Sequence, residues 1–143
     1  MKVKAAAKKT RGKRSMQTKN QYIPGACNIG KGEVNRRIQG GWFGLIVTIF
    51  LYGFLVYLGA PRPWRLVIFI PAMMAAVGFL QARMRFCAYF GMHGVFNFSL
   101  EAGKTEIVGQ AEFRAMDRRK ALQIIIYSVG IGALVAAAAY FLP

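Results

Sequence analysis

The stretch that decides the fold is WFGLIVTIFLYGFLVYLGA, residues 42–60, in which all 19 residues are uncharged. A helix of that length, at about 1.5 Å per residue, nearly crosses a bilayer hydrocarbon core of about 30 Å. Two further uncharged runs follow, LVIFIPAMMAAVGFLQA at 66–82 and ALQIIIYSVGIGALVAAAAYFLP at 121–143. The sequence therefore predicts an all-α integral membrane protein with three transmembrane helices, over about residues 42–60, 64–82 and 121–142.

The composition fits this class. The 143 residues are 55% hydrophobic and carry a formal net charge of +15. A nucleic-acid-binding module could carry such a charge, but its apolar residues would be periodic rather than gathered in long runs, which argues against nucleic acid as the partner. Buried helices of a soluble protein would leave almost nothing to form a polar exterior.

Basic residues predict the orientation in the membrane. Residues 1–41 contain eleven Lys or Arg, the turn after the first span two, residues 83–120 seven, and the C-terminal tail none. By the positive-inside rule, the N-terminus and the second connection are cytoplasmic, and the C-terminus lies outside.

The chain divides into four predicted parts. They are a disordered basic cytoplasmic arm (1–26), a helical hairpin (27–82), an interfacial aromatic segment and loop (83–105), and a polar helix that continues into the third span (106–143). Pro61 and Pro63 in the turn GAPRP end one helix and begin the next, while Pro71 predicts a kink in the second. For FNFSLEAGKTEI, residues 96–107, a small β-hairpin is the alternative.

Small residues spaced four apart predict where the helices touch, because lipid gives apolar helices no hydrophobic reason to associate. The candidates are Gly40 and Gly44 in the first helix, Ala72 and Ala76 in the second, and Ser128, Gly132 and Ala136 in the third. The alternative is that glycine and alanine are simply common in membrane helices.

The basic arm predicts contact with anionic headgroups, which attract cytoplasmic cations near the membrane surface. Residues 1–21 contain eight Lys or Arg and no acid. Binding to nucleic acid or to an acidic partner protein is the alternative. The residues predicted to contact headgroups, in the arm and at the span ends, are Lys8, Lys9, Arg11, Lys13, Arg14, Arg36, Arg37, Arg83, Arg85, Arg118 and Arg119.

Few residues have side chains suited to catalysis or to binding a metal or cofactor. Cys27 and Cys87 are interpreted as small packing residues, with thiol or sulfur handling as the alternative, and a cytoplasmic position disfavours a disulfide. Together with His93 they do not complete a four-ligand zinc set. His93 is the single candidate ligand for a haem or a chlorophyll magnesium, but it has no partner inside a span. No cofactor, metal site or catalytic residue is predicted.

No predicted span has a charged residue in its interior, although transporters normally need one. The sequence therefore favours a non-enzymatic multi-pass protein, an accessory or assembly subunit of a larger membrane complex. Its predicted partners are a bilayer with anionic headgroups and other membrane protein subunits. The alternatives are thiol chemistry at Cys27 and Cys87, or recruitment of anionic lipid or an acidic partner by the arm.

Over about residues 26–98 the chain resembles a family of small inner-membrane proteins of unknown function that also occurs fused to rhodanese domains (DUF2892, YgaP-like). The family's first motif falls on Asn28, Gly30, Glu33, Arg37 and Gly41, with Val34 where an arginine is common; its second falls on Phe86, Cys87, Gly94, Val95 and Asn97. Ala88 stands where the family has proline, and Asn97 comes one residue late. The resemblance implies a helical hairpin in the bacterial inner (plasma) membrane; the rhodanese fusions suggest the thiol alternative.

Overall fold

Three long helical segments dominate the computed structural model, which describes residues 22–99 and 104–142. The elements are α1 (Lys31–Tyr57), a 3-10 helix (Arg62–Ile68) continuing into α2 (Phe69–Met84), the short α3 (Ala88–His93), β1 (Val95–Phe96), β2 (Glu106–Ile107) and α4 (Ala111–Phe141). The segments Lys31–Tyr57, Arg62–Met84 and Ala111–Phe141 are each long and apolar enough to cross a membrane. The prediction of a mainly helical chain with three candidate spans is confirmed.

The second segment differs in detail from the prediction of a regular helix. It begins as a 3-10 helix after Pro61, with Pro63 among its first residues. Pro71 is the third residue of α2 and lies in its first turn, where a missing N–H costs little. Pro71 therefore follows the change from 3-10 to α geometry, and the kink expected at this residue stays a prediction.

The helix α2 lies between α1 and α4 and packs extensively against both, whereas α1 and α4 have almost no direct contact in the described chain. Glycines allow the close approach. A Cβ atom built on Gly44 would lie 2.7 Å from the Ala75 nitrogen, and one on Gly78 would lie 2.5 Å from the Gly41 nitrogen. The α1–α2 interface is thus backbone against backbone, as small residues permit in membrane helices.

Most of the small residues predicted to pack lie at helix contacts. Ala72, Ala76, Ser128, Gly132 and Ala136 are buried, as is Gly44. Gly40 is the exception, because it is exposed and a Cβ there would meet nothing within 4 Å. Its neighbour Gly41 faces the ring of Phe79 instead, since the buried face of α1 follows residues 33, 41, 44 and 48.

The segment after α2, for which the sequence predicts a position in the membrane interface with its aromatic side chains toward acyl chains or against the bundle, folds over the end of the helix bundle. Phe86 and Phe90 are buried in the protein, whereas Tyr89 is exposed. β1 pairs antiparallel with β2, Val95 opposite Ile107, and the Val108 N–H donates to the Gly94 carbonyl at 2.8 Å.

This pairing corrects the predicted start of the last helix. Residues 106–107 are held in the β-hairpin, so α4 begins at Ala111 rather than at 106. The hairpin named above as the alternative is the structure found.

Residues 22–26, predicted as part of the disordered arm, are also folded. Ile23 and Cys27 close a turn by two backbone hydrogen bonds of 2.9 Å. The turn packs against the beginning of α4 through Tyr22 and Gly25, which bind Asp117. Residues 1–21, with five of the predicted headgroup contacts, lie outside the described residues.

Candidate functional site

Polar side chains from three distant parts of the sequence meet at the end of the bundle where α1 begins and α2 ends. We call this group the buried polar cluster; it consists of Asn28, Glu33, Arg37, Cys87 and Asn97. Four of the five are at most 1% exposed. Such burial is stable only if the polar groups find partners inside the protein.

Asn28 joins the segment before α1 to the segment after α2. Its Nδ2 donates to the Cys87 carbonyl at 3.1 Å, and its Oδ1 accepts from the Cys87 N–H at 2.7 Å. The Asn97 N–H donates to the Asn28 carbonyl at 2.9 Å, and the Gly30 N–H donates to the Asn97 carbonyl at 2.7 Å. The Asn28 side chain thus binds both backbone groups of Cys87, while the Asn28 backbone carbonyl binds the segment of Asn97.

Glu33 brings a carboxylate into this buried region, and Asn97 and Arg37 are among the residues that compensate it. Asn97 Nδ2 donates to Glu33 Oε1 at 3.3 Å, and Arg37 Nη2 lies 3.6 Å from Glu33 Oε2. The same Arg37 nitrogen donates to Cys87 Sγ at 3.0 Å, and the guanidinium lies over the Phe90 ring, 5.9 Å from its centre. Arg37 therefore takes part in an internal ion pair, and its contact with headgroups stays a prediction.

A second buried acid holds the turn at residues 23–27. Asp117, in the second turn of α4, is fully buried and accepts hydrogen bonds from the Tyr22 hydroxyl and the Gly25 N–H, both at 2.7 Å. Burial and the hydrogen bond to the Asp117 carboxylate raise the pKa of Tyr22 well above its usual value. Asp117 thus holds residues 22–25, which we call the root of the predicted arm, against the beginning of α4.

The two thiols differ in burial. Cys27 is half-buried and donates to the Ile29 carbonyl at 3.8 Å, while Cys87 is fully buried. Burial raises the pKa of both thiols, although Arg85 near Cys27 and the Phe90 N–H and Arg37 near Cys87 act in the opposite direction. A raised pKa lowers the thiolate fraction, which is the nucleophilic form.

His93 is exposed at the end of α3, away from the buried polar cluster. Its ring stacks on Tyr89 with centroids 4.2 Å apart, and Nδ1 lies 2.9 Å from the Tyr89 carbonyl. Within residues 22–99 and 104–142, no three His, Cys, Asp or Glu residues are grouped to hold a metal ion.

Other predicted headgroup contacts remain at the surface. Arg36, Arg83, Arg85, Arg118 and Arg119 are exposed. They lie around the end of the bundle that holds the buried polar cluster, near the first turns of α1, the last turn of α2 and the second turn of α4. This end of the protein is therefore strongly basic.

Sequence reasoning missed several structural partners. The pairing of Tyr22 with Asp117 was not predicted, although the acid inside the run MDRRK was a signal. At the opposite end, Arg65 is buried and its Nη1 donates to the Leu142 carbonyl at 2.6 Å. Gln81 is a buried polar residue within α2. These pairings join residues far apart in sequence, which local patterns do not show.

No protein-family model, curated protein or solved structure matches this chain. Most of the motif residues behind the resemblance described above belong to the buried polar cluster or its immediate backbone partners, with Gly30 bound to Asn97. Membership of that family stays a prediction.

Proposed function

We propose that this chain is a non-catalytic multi-pass membrane protein that serves as an accessory or assembly subunit of a larger membrane complex. The observation that carries the proposal is that charged side chains in the folded part bind partners inside the protein. Glu33, Arg37 and Asp117 bind partners that close the fold, so these charges stabilise the protein itself. Over their apolar runs, the long helices present mainly hydrophobic side chains outward.

An aromatic seam on α1 is the surface we assign to partner helices. It consists of Phe43, Phe50 and Tyr57, which are 64%, 75% and 87% exposed. Residues seven apart lie close to one face of a helix, two turns apart. Large aromatic side chains supply much of the contact energy in protein interfaces.

Native-gel electrophoresis after mild solubilisation tests the proposal. We expect the chain to migrate with other membrane proteins in an assembly larger than its own detergent micelle. Phe43→Ala combined with Phe50→Ala should release it, whereas Ile126→Ala with Leu134→Ala, at exposed positions of α4, should not. Migration as a free monomer under every mild condition would refute the subunit role.

A second candidate function is recruitment of anionic lipid by the arm, with bacterial inner membrane as the proposed location. It is supported by the contacts of Asp117 with Tyr22 and Gly25, which place the root of the arm beside the exposed Arg118 and Arg119. Basic residues of the stretch 1–21 precede this root in the sequence, and the surface beside the root is already basic.

Protease protection in vesicles tests the arm. Trypsin should cut within residues 1–21 more slowly in phosphatidylglycerol vesicles than in phosphatidylcholine vesicles. The difference should disappear at about 0.5 M salt, where the Debye length is only a few ångströms. Equal cleavage in both lipids at low salt would exclude this function.

A further inference from the structure

An apolar groove runs along α2 between the two helices that flank it. Its volume is about 700 Å³, and its lining includes Ala72, Ala75 and Ala76 of α2, Leu45 of α1, and Ile131 and Val135 of α4. The groove exists because α1 and α4 scarcely touch, and because alanine side chains leave space over α2. Its size is that of a small-molecule site, about 300–1,000 Å³.

One charged residue lines the groove in the described chain, and it lies at one end. Arg83 belongs to the last turn of α2 and is exposed. The same side chain also lines a second cavity of about 390 Å³ at that end of the bundle. Arg83 therefore connects an apolar space at membrane depth with a polar space beyond the end of α2.

The second cavity is cationic. Lys31, Arg83 and Arg85 line it and no described acid does, nor does any of the three form an ion pair with a described residue. Gly30, the N-cap of the 27-residue α1, also lines it and provides no side-chain cap. The positive end of the helix dipole adds to the attraction for an anion.

We propose that the groove and the cationic cavity together bind one anionic phospholipid. An acyl chain occupies the groove over Ala72, Ala75 and Ala76, and the phosphate lies against Arg83, with Lys31 and Arg85 facing the rest of the headgroup. The groove by itself would accept any acyl chain, and the cations by themselves any anion. Their junction at Arg83 selects a ligand in which an apolar chain is joined to an anionic group.

Native mass spectrometry of the full chain tests this proposal. The protein is released from detergent containing equal amounts of phosphatidylglycerol and phosphatidylcholine with identical acyl chains. We expect phosphatidylglycerol to be retained preferentially. Arg83→Gln should lower its occupancy about tenfold, the loss expected for a charge-assisted contact, and Arg83→Lys should keep most of it. Arg36→Gln is the control, since Arg36 is exposed at the same end and lines neither cavity.

A second pair of variants tests the acyl groove without changing charge. Val135→Trp fills the groove and should reduce phosphatidylglycerol retention, whereas Leu134→Trp, at a 73% exposed position outside the groove lining, should not. Circular dichroism confirms that each variant is folded. Inorganic phosphate should not displace the lipid, because it has no chain to occupy the groove.

Four results would overturn the proposal: equal retention of the two lipids, undiminished retention in Arg83→Gln or in Val135→Trp, an equal loss in Arg36→Gln, or displacement by inorganic phosphate. The basic arm is present in every variant, so its own attraction for lipid does not alter the comparison. The result does not depend on whether the chain is a subunit of a complex.

Discussion

Asn28 connects three segments at the basic end of the bundle: its own, the one that contains Cys87 and the one that contains Asn97. Its side chain pairs with both backbone groups of Cys87, and its own carbonyl accepts from Asn97. Asn28 lies shortly before α1, where asparagine often caps a helix. In the structure the N-cap is Gly30, and the side chain of Asn28 binds the segment after α2 instead.

Asn28→Asp should destabilise the protein by at least about 2 kcal/mol. The aspartate keeps the acceptor for the Cys87 N–H, but it loses the donor to the Cys87 carbonyl and buries a charge. Unfolding in denaturing detergent, followed by circular dichroism, measures the change. Asn35→Asp is the control because Asn35 is exposed in the first turns of α1, where an acid is tolerated. Equal effects of the two changes would contradict this role of Asn28.

Tyr22→Phe should cost about 1–3 kcal/mol, because it removes a hydrogen bond to the buried carboxylate of Asp117. The pKa of Tyr22 is raised above its ordinary value of 10.0, so the folded state favours the protonated phenol. The stability difference between wild type and Tyr22→Phe should therefore be fully present below about pH 10 and be lost as the pH rises toward the raised pKa. Denaturing-detergent titrations at several pH values measure it, with Tyr57→Phe as the exposed control. A difference that grew above pH 10 would contradict the assignment.

Among the elements, α1 and α2 depend most on glycine. The buried face of α1 includes Gly41 and Gly44, and that of α2 includes Gly78. Small residues four apart predicted that glycines make the helix contact. The spacing alone did not show that Gly41 rather than Gly40 faces α2. The face is set by rotation of the whole helix, which the polar contacts of Glu33 and Arg37 help to fix.

Gly78→Ala should destabilise the α1–α2 pair by about 1–3 kcal/mol, because the added Cβ would lie 2.5 Å from the Gly41 nitrogen and force the helices apart. Gly40→Ala is the matched control: its Cβ meets nothing within 4 Å, so the effect should be neutral or stabilising by about 0.5 kcal/mol. Thermal unfolding in detergent measures both. If Gly40→Ala were the more damaging change, the assignment of Gly41 rather than Gly40 to the face of α1 that contacts α2 would be wrong.

For the whole molecule, we predict that the basic end is cytoplasmic. One end of the bundle holds the root of the arm and the exposed residues Arg36, Arg83, Arg85, Arg118 and Arg119. The turn after α1, with the exposed Arg62, and the last residue of α4 lie at the other end. Alkaline phosphatase fused to the C-terminus should therefore be active, because that enzyme requires the oxidising side of the membrane. Green fluorescent protein fused to the N-terminus should fluoresce. A fluorescent C-terminal fusion with inactive phosphatase would reverse the orientation.

The sequence by itself determined the three long helices, because each is encoded by one continuous apolar run whose length is a local property. It also showed where the basic charge is concentrated. Only the tertiary structure decided that Gly41 rather than Gly40 faces α2, that residues 106–107 pair with β1, and that Tyr22 binds Asp117. The buried polar cluster belongs with these, because Asn28, Glu33 and Cys87 become partners only when the helices that carry them are packed. Hydrophobic runs are read one segment at a time, whereas hydrogen bonds between distant segments depend on how all of them are arranged.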